Sequence, residues 1–215
     1  MKSVFPQKAT LPNDILLLSI ERKEAIRKRL DEFRSVPPSD YFYELAYCLL
    51  TPQSSARHAA AAVQQLTAND FQHRAFNPES ILRNKEHYIR FHHTKSHYLQ
   101  LLKKQFSEIQ SILFQQLPAS EIREWLVKNV NGLGYKEATH FLRNIGRNDE
   151  LAILDRHILR NLKRYGIIRV IPETLSRKTY FRIEKQFQQF AEQAKIPIDE
   201  LDLLFWSLET GEMLK

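Results

Sequence analysis

Gly132-Leu133-Gly134-Tyr135-Lys136, followed after the apolar run Leu151-Ala152-Ile153-Leu154 by a lone Asp155, decides the fold of this chain. Upstream, Ser120 to Val130 has the spacing of an amphipathic helix; downstream, Tyr135 to Ile145 predicts a second helix with a lysine in its first turn. Two helices joined through Gly-x-Gly make a helix-hairpin-helix, whose tight turn offers backbone N–H groups to an anion as helix N-termini do for phosphate. A lysine at that place opposes the positive end of the helix dipole. Such misplaced charge costs local stability, and it is also a route to a nucleophilic amine. Asp155 adds a carboxylate able to stabilise developing positive charge or to move a proton. Each residue alone has a plainer reading, Lys136 as a surface lysine and Asp155 as a helix N-cap. A full capping box is absent, because the third residue after Asp155 is Ile158.

Working outward, helical periodicity dominates. Ile26, Leu30 and Phe33 mark one apolar face that stops at Pro37-Pro38. Ser39 is placed to cap a helix from Asp40 to Leu50, and Ser54 or Ser55 an alanine-rich one from Ala56 to Leu66. Asn77-Pro78 starts a segment towards Arg90, followed by helices over Lys95–Phe106 and Ser107–Leu117. Asp155 caps or precedes a helix to Tyr165, and Pro172 and Pro197 open the last two long helices. Only Ile167 to Ile171 has any strand character. The expected class is all-α, with roughly ten short helices and brief connections.

Composition bounds the function. The 215 residues contain 43% hydrophobic positions, enough for a real core, and carry a formal net charge of +7, which favours a polyanionic partner. The one cysteine, Cys48, excludes an intrachain disulfide and any four-cysteine zinc or iron–sulfur site. No signal peptide opens the chain and no apolar run reaches the roughly 18 residues of a spanning helix, so a soluble, intracellular protein is expected. His92-His93 with His97 includes an i, i+4 histidine pair, but no carboxylate or cysteine completes a motif in sequence; no metal and no cofactor are expected.

The finer blocks carry a family resemblance. Leu49-Leu50-Thr51-Pro52-Gln53-Ser54, Arg90-Phe91-His92 with Lys95, Gly134-Tyr135-Lys136-Glu137-Ala138 with His140-Phe141-Leu142-Arg143-Asn144, and Ile153-Leu154-Asp155-Arg156-His157-Ile158-Leu159 are all present, as is the ending Thr210-Gly211-Glu212 with Leu214-Lys215. Together these resemble the second, archaeal-type family of 8-oxoguanine DNA glycosylase/AP lyases, within the helix-hairpin-helix glycosylase superfamily. The likeness runs from about Tyr41 to Lys215. The missing cluster cysteines separate the chain from the iron–sulfur endonucleases of that superfamily.

The resemblance implies a two-lobed, all-α helix-hairpin-helix glycosylase fold without an iron–sulfur cluster. One lobe would span about 40–147, including the hairpin at about 120–146, and the other about 1–39 plus 148–215, with the substrate cleft between them. It implies that Lys136 attacks the sugar C1′ and that Asp155 stabilises the oxocarbenium-like transition state. Phe91 and Trp206 match positions that supply aromatic surface around the flipped base, and Lys215, with a terminal carboxylate, a position used in base recognition. Gln53 is a candidate to fill the gap left by the flipped nucleotide, Arg90 to hydrogen-bond the orphaned cytosine, and Gly132 and Gly134 to hold DNA phosphate. Arg156, His157, Arg160, Lys163 and Arg164 would form a basic helix face. The expected partner is double-stranded DNA containing oxidised guanine, bound by a monomer without membrane association. A glycosylase/lyase for another oxidised base, or a non-enzymatic helix-hairpin-helix DNA-binding module, are the alternatives.

Overall fold

The computed structural model describes residues 13–148 and 150–211. These fall into two compact units, one of residues 32–148 and one of residues 13–31 with 150–211. All regular structure among the described residues is helical, and no helix there is long and apolar enough to cross a membrane.

The larger unit begins in α2 (Lys23–Arg34), within which the division falls, and continues through α3 (Tyr41–Leu50), α4 (Ala56–Ala68), α5 (Glu79–Leu82), α6 (His92–Leu113), α7 (Ala119–Asn129) and α8 (Tyr135–Asn144). Eight of the ten residues of α3 are buried, so it is the central helix, packed against α4, α6 and α8. An aromatic cluster fills the space beside it, with Phe42 edge-on to Phe106 at 5.1 Å and tilted on Phe71 at 6.1 Å. Ala59 and Ala62 let α4 approach closely because their side chains occupy little volume. Buried polar pairs cross this core: the Asn144 side-chain amide donates to Glu44 Oε2 at 3.0 Å, and the Arg123 guanidinium to Thr139 Oγ1 at 3.2 Å.

The smaller unit contains α1 (Asn13–Glu21), α9 (Arg156–Arg164), α10 (Arg177–Ala194) and α11 (Ile198–Thr210). Phe205 is sandwiched between Tyr165 and Phe187, with ring centroids at 5.5 and 5.7 Å and planes near parallel. Arg22 donates to Ser207 Oγ at 2.7 Å, tying the end of α1 to α11. The apolar run Leu151–Leu154 is buried and belongs to no helix or strand. Buried backbone polar groups must be satisfied somewhere, and α10 supplies the partners. Ala152 N donates to Glu184 Oε1 at 2.8 Å, and Tyr180 Oη donates to Ala152 O at 2.5 Å.

Several local expectations are corrected. Ser39 caps nothing: Pro38–Asp40 form a 3-10 turn, and α3 follows without a side-chain cap. Ser55, rather than Ser54, caps α4, accepting from His58 N at 3.1 Å. The segment from Pro78 to Arg90 breaks into α5 and a 3-10 turn at Lys85–His87, whose cap is Asn84. The two helices expected over 95–117 are one, because Leu99, Leu102, Phe106, Ile109 and Leu113 keep one buried face through Ser107. Pro172 lies in a loop, and α10 begins instead at Ser176, whose hydroxyl accepts from Thr179 N at 3.3 Å. Ile167 to Ile171 is bend and coil rather than strand.

Candidate active site

The hairpin forms as the sequence requires. Leu133 N donates to Val130 O at 3.2 Å, closing a turn with Gly132 third at φ +84°. That position in such a turn favours glycine. It also lacks room: a Cβ on Gly132 would lie 2.3 Å from the ring of Tyr98, which reaches the turn from α6. Gly134 is the N-cap of α8 and brings no side-chain acceptor. The first N–H groups of a helix have no intrahelical partner, so this end is left to accept an anion.

Lys136 is the second residue of α8, and its Nζ lies 2.9 Å from Glu137 Oε1. The lysine side chain is 28% exposed and the glutamate 13%. Glu137 therefore does two things: it places negative charge where the helix dipole favours it, and it holds the lysine head group beside the turn. Its other oxygen, Oε2, lies where a Cβ on Gly134 would be only 2.9 Å away, so the hairpin glycine also makes room for this pairing. Beneath, Tyr135 Oη donates to Glu124 Oε2 at 3.1 Å, and the buried Arg123 guanidinium sits 5.7 Å from the Tyr135 ring centroid.

Behind Lys136 lies a buried group of polar side chains. His140, on α8, packs edge-on against Tyr47, and burial, then Arg143 and Lys136, hold its pKa well below the usual histidine range. It is a neutral imidazole. Burial pushes the Cys48 thiol pKa up, so Cys48 is an inert core residue. Lys95, on α6, is 5% exposed; burial, and then the positive charge of Lys136, bring its pKa down to about 8.

The same unit gathers three of the sequence candidates. Gln53 is exposed at φ 55° and Phe91 at φ 61°, two of the few non-glycine residues in the left-handed region. Non-glycine residues there carry strain that surrounding structure must hold, and such positions cluster at functional sites. Phe91 is 49% exposed with the Arg90 guanidinium 5.0 Å from its ring centroid, a cation–π contact. Ser54 Oγ, next to Gln53, accepts from Arg90 N at 3.0 Å. Gln53, Arg90 and Phe91 are thus joined by one short network.

The smaller unit holds Asp155 and Trp206. Asp155 is the N-cap of α9, and its Oδ1 accepts from both His157 N and Ile158 N at 2.8 Å. Its Oδ2 makes no hydrogen bond among the described residues. The capping and the chemical readings of this residue are therefore compatible, since capping orients the carboxylate and leaves one oxygen available. Trp206, on α11 and half-buried, meets the edge of the His157 ring at 6.2 Å. His157 is consequently turned towards α11 and does not belong to a basic face; Arg156, Arg160, Lys163 and Arg164 are exposed, and Arg160 lies 3.6 Å from Glu209. Lys215 lies outside the described residues.

Three things were missed from the sequence. Tyr98 as the wall of the hairpin and Lys95 as a buried cation depend on long-range packing. So does the third: Glu79 meets His92 and His93, the three offering ligand atoms within 4.8 Å of one another, with Glu79 Oε1 3.0 Å from His93 Nδ1. A carboxylate from α5 thus joins His92 and His93, within hydrogen-bonding distance of His93 Nδ1.

Comparison with known proteins fits this geometry. The family model described as 8-oxoguanine DNA glycosylase matches residues 26–196. The 8-oxoguanine DNA glycosylase/AP lyase of Fusobacterium nucleatum is 39% identical over 212 residues, covering 94% of this chain and 97% of that one. The Methanocaldococcus jannaschii 8-oxoguanine glycosylase/lyase, solved in complex with a 15-mer DNA containing 8-oxoguanine, superposes with a TM-score of 0.84 at 34% identity, covering 94% of this chain and 98% of that one. The 8-oxoguanine DNA glycosylase of Thermotoga maritima gives a TM-score of 0.82 at 31% identity, with 94% and 97% covered. With its uncapped hairpin, its lysine in the first turn of α8 and this likeness along nearly its whole length, the chain belongs to the helix-hairpin-helix family of 8-oxoguanine DNA glycosylases.

Proposed function

We infer that this protein is a bifunctional enzyme of base-excision repair: it removes 8-oxoguanine from DNA and nicks the strand at the abasic site it creates. The observation that carries the reading is Lys136, held by Glu137 at the uncapped start of α8, in a chain similar over 94% of its length to glycosylase/AP lyases.

In this reading the damaged nucleotide is turned out of the duplex, at a cost of a few kcal/mol recovered by contacts to the base. Backbone N–H groups at Gly132 and Gly134 hold a phosphate, which positions the strand without reading its sequence. The neutral amine of Lys136 attacks C1′; the bond from C1′ to the base nitrogen breaks, and the base leaves with that electron pair and takes up a proton. Opening of the sugar ring gives an imine between Nζ and C1′. Loss of a C2′ proton then expels the 3′ phosphate, which nicks the strand, and water releases the lysine. Asp155 supplies a carboxylate for the positive charge that develops on the sugar. Phe91 and Trp206 offer aromatic surface to the flipped base, Gln53 fills the vacated space, and Arg90 meets the orphaned cytosine.

The test is borohydride trapping. The wild-type protein is expected to give a covalent complex on a duplex carrying 8-oxoguanine opposite cytosine, and Lys136→Gln none. Normal trapping by Lys136→Gln would remove Lys136 as the nucleophile. Trapping on a panel of other oxidised bases, with none on 8-oxoguanine, would reassign the substrate.

A further inference from the structure

The amine of Lys95 is buried, and all of its hydrogen-bonding capacity is used within the protein. An ammonium has three donors, and Nζ meets three acceptors: Leu50 O at 2.8 Å, Pro52 O at 2.6 Å and Ser54 Oγ at 3.2 Å. The first is the end of α3, where a cation suits the negative end of the helix dipole. The second is the carbonyl just before Gln53. The third is the hydroxyl that also accepts from Arg90 N at 3.0 Å. The backbone N–H of Lys95 closes the circuit, donating to Phe91 O at 2.9 Å. One residue thus touches, directly or through Ser54, every backbone segment that carries Gln53, Arg90 and Phe91.

From this we propose that Lys95 is a positioning residue for lesion recognition, its buried ammonium clamping the left-handed turn of Gln53 and the Arg90–Phe91 junction into one rigid reading element. The proposal rests on the glycosylase reading above. It assigns Lys95 no contact with DNA and no part in attack on the sugar. Both left-handed residues need external restraint, and the clamp supplies it from the interior, leaving their side chains free to face a substrate. A neutral amine has only two N–H donors for the three acceptors, so loss of the proton releases one of them. The charges acting on Lys95 both come from α8: Lys136, which lowers its pKa, and Glu137, which raises it. The elements that carry its hydrogen-bond acceptors present carbonyl and hydroxyl oxygens to it. With its pKa brought down to about 8 by burial and Lys136, the clamp is intact at neutral pH and released as pH rises through that value.

The experiment compares two activities of the same full-length protein: excision of 8-oxoguanine from a duplex, and nicking of a duplex with a pre-formed abasic site. Both need attack by Lys136, so an effect common to that step cancels in their ratio. Lys95→Met, which keeps the stem and removes the charge, should lower the excision-to-nicking ratio about tenfold, the value of a lost charge-assisted hydrogen bond or two. Ser54→Ala, which leaves the ammonium in place, should lower it in the same direction by roughly threefold, and carries the test if Lys95→Met does not fold. The wild-type ratio should fall as pH passes about 8, while that of Lys95→Met stays level over the same range. The proposal is overturned if the ratio is unchanged in both variants, including the case where both activities fall together, or if wild type and Lys95→Met share one pH profile. A wild-type protein inactive on both duplexes would instead defeat the glycosylase reading itself.

Discussion

Two helices that carry the proposed chemistry begin in opposite ways. α8 starts on Gly134, with no side-chain cap and a lysine as its second residue. α9 starts on Asp155, whose Oδ1 takes two N–H groups of its own helix. A helix end satisfied from within has little left for an outside anion, whereas a bare one keeps its N–H groups and positive potential for a ligand. In the proposed reading the chain separates two tasks that share one kind of local structure: α8 leaves its first N–H groups for phosphate, and α9 holds a carboxylate still. The cost also falls differently. α8 forgoes a cap worth about 1 kcal/mol and sets Lys136 against the dipole with Glu137 beside it, while α9 has the cap and sets Arg156 against the dipole with the Asp155 carboxylate before it.

This contrast can be broken by exchanging its parts. The largest effect is expected from Asp155→Asn, which keeps a good capping residue and removes the charge. Excision should fall by about 100-fold or more, as for loss of a charge-stabilising or proton-transfer group, with the melting temperature unchanged. An Asn variant of near wild-type activity would reduce Asp155 to a cap. Next is Gly134→Asp, which gives α8 the kind of start that α9 has. The Cβ displaces only the flexible Glu137 head group, 2.9 Å away, so the fold should tolerate it. A carboxylate capping the hairpin competes with phosphate, and duplex affinity measured by titration should drop roughly tenfold, the value of a charge-assisted contact. Unaltered affinity would mean that the hairpin N–H groups do not hold the strand. The smallest effect separates cap from chemistry: Asp155→Ala should cost about 1 kcal/mol in chemical denaturation beyond anything seen for Asp155→Asn. Equal stabilities of the two variants would say that the Oδ1 contacts contribute nothing to α9.

The hairpin and α9 were legible because their signals are local. Gly-x-Gly fixes a turn, and Asp155 before an amphipathic stretch fixes a start. α6 was misdivided for a local reason too: a serine in a polar stretch looks like a cap, and only the buried face from Leu99 to Leu113 reveals that the helix continues. α10 was started too early because proline is a common first helical residue, while Ser176 offers the actual cap. Lys95 was out of reach for a different cause. Its partners are two backbone carbonyls and a hydroxyl more than 40 positions away, and a carbonyl leaves no mark in a sequence. Burial of its charge is decided by packing alone. The join between Gln53, Arg90 and Phe91 was hidden with it.

The buried run from Leu151 to Leu154 lies outside any helix or strand, and this bears on dynamics. A segment outside regular secondary structure ordinarily exchanges its amide protons with solvent quickly, since local opening exposes them. Here the Ala152 amide is bonded to Glu184 and its carbonyl to Tyr180, both side chains of α10. Its proton should accordingly exchange as slowly as those of α10 itself, and the segment that delivers Asp155 should open only when that helix does.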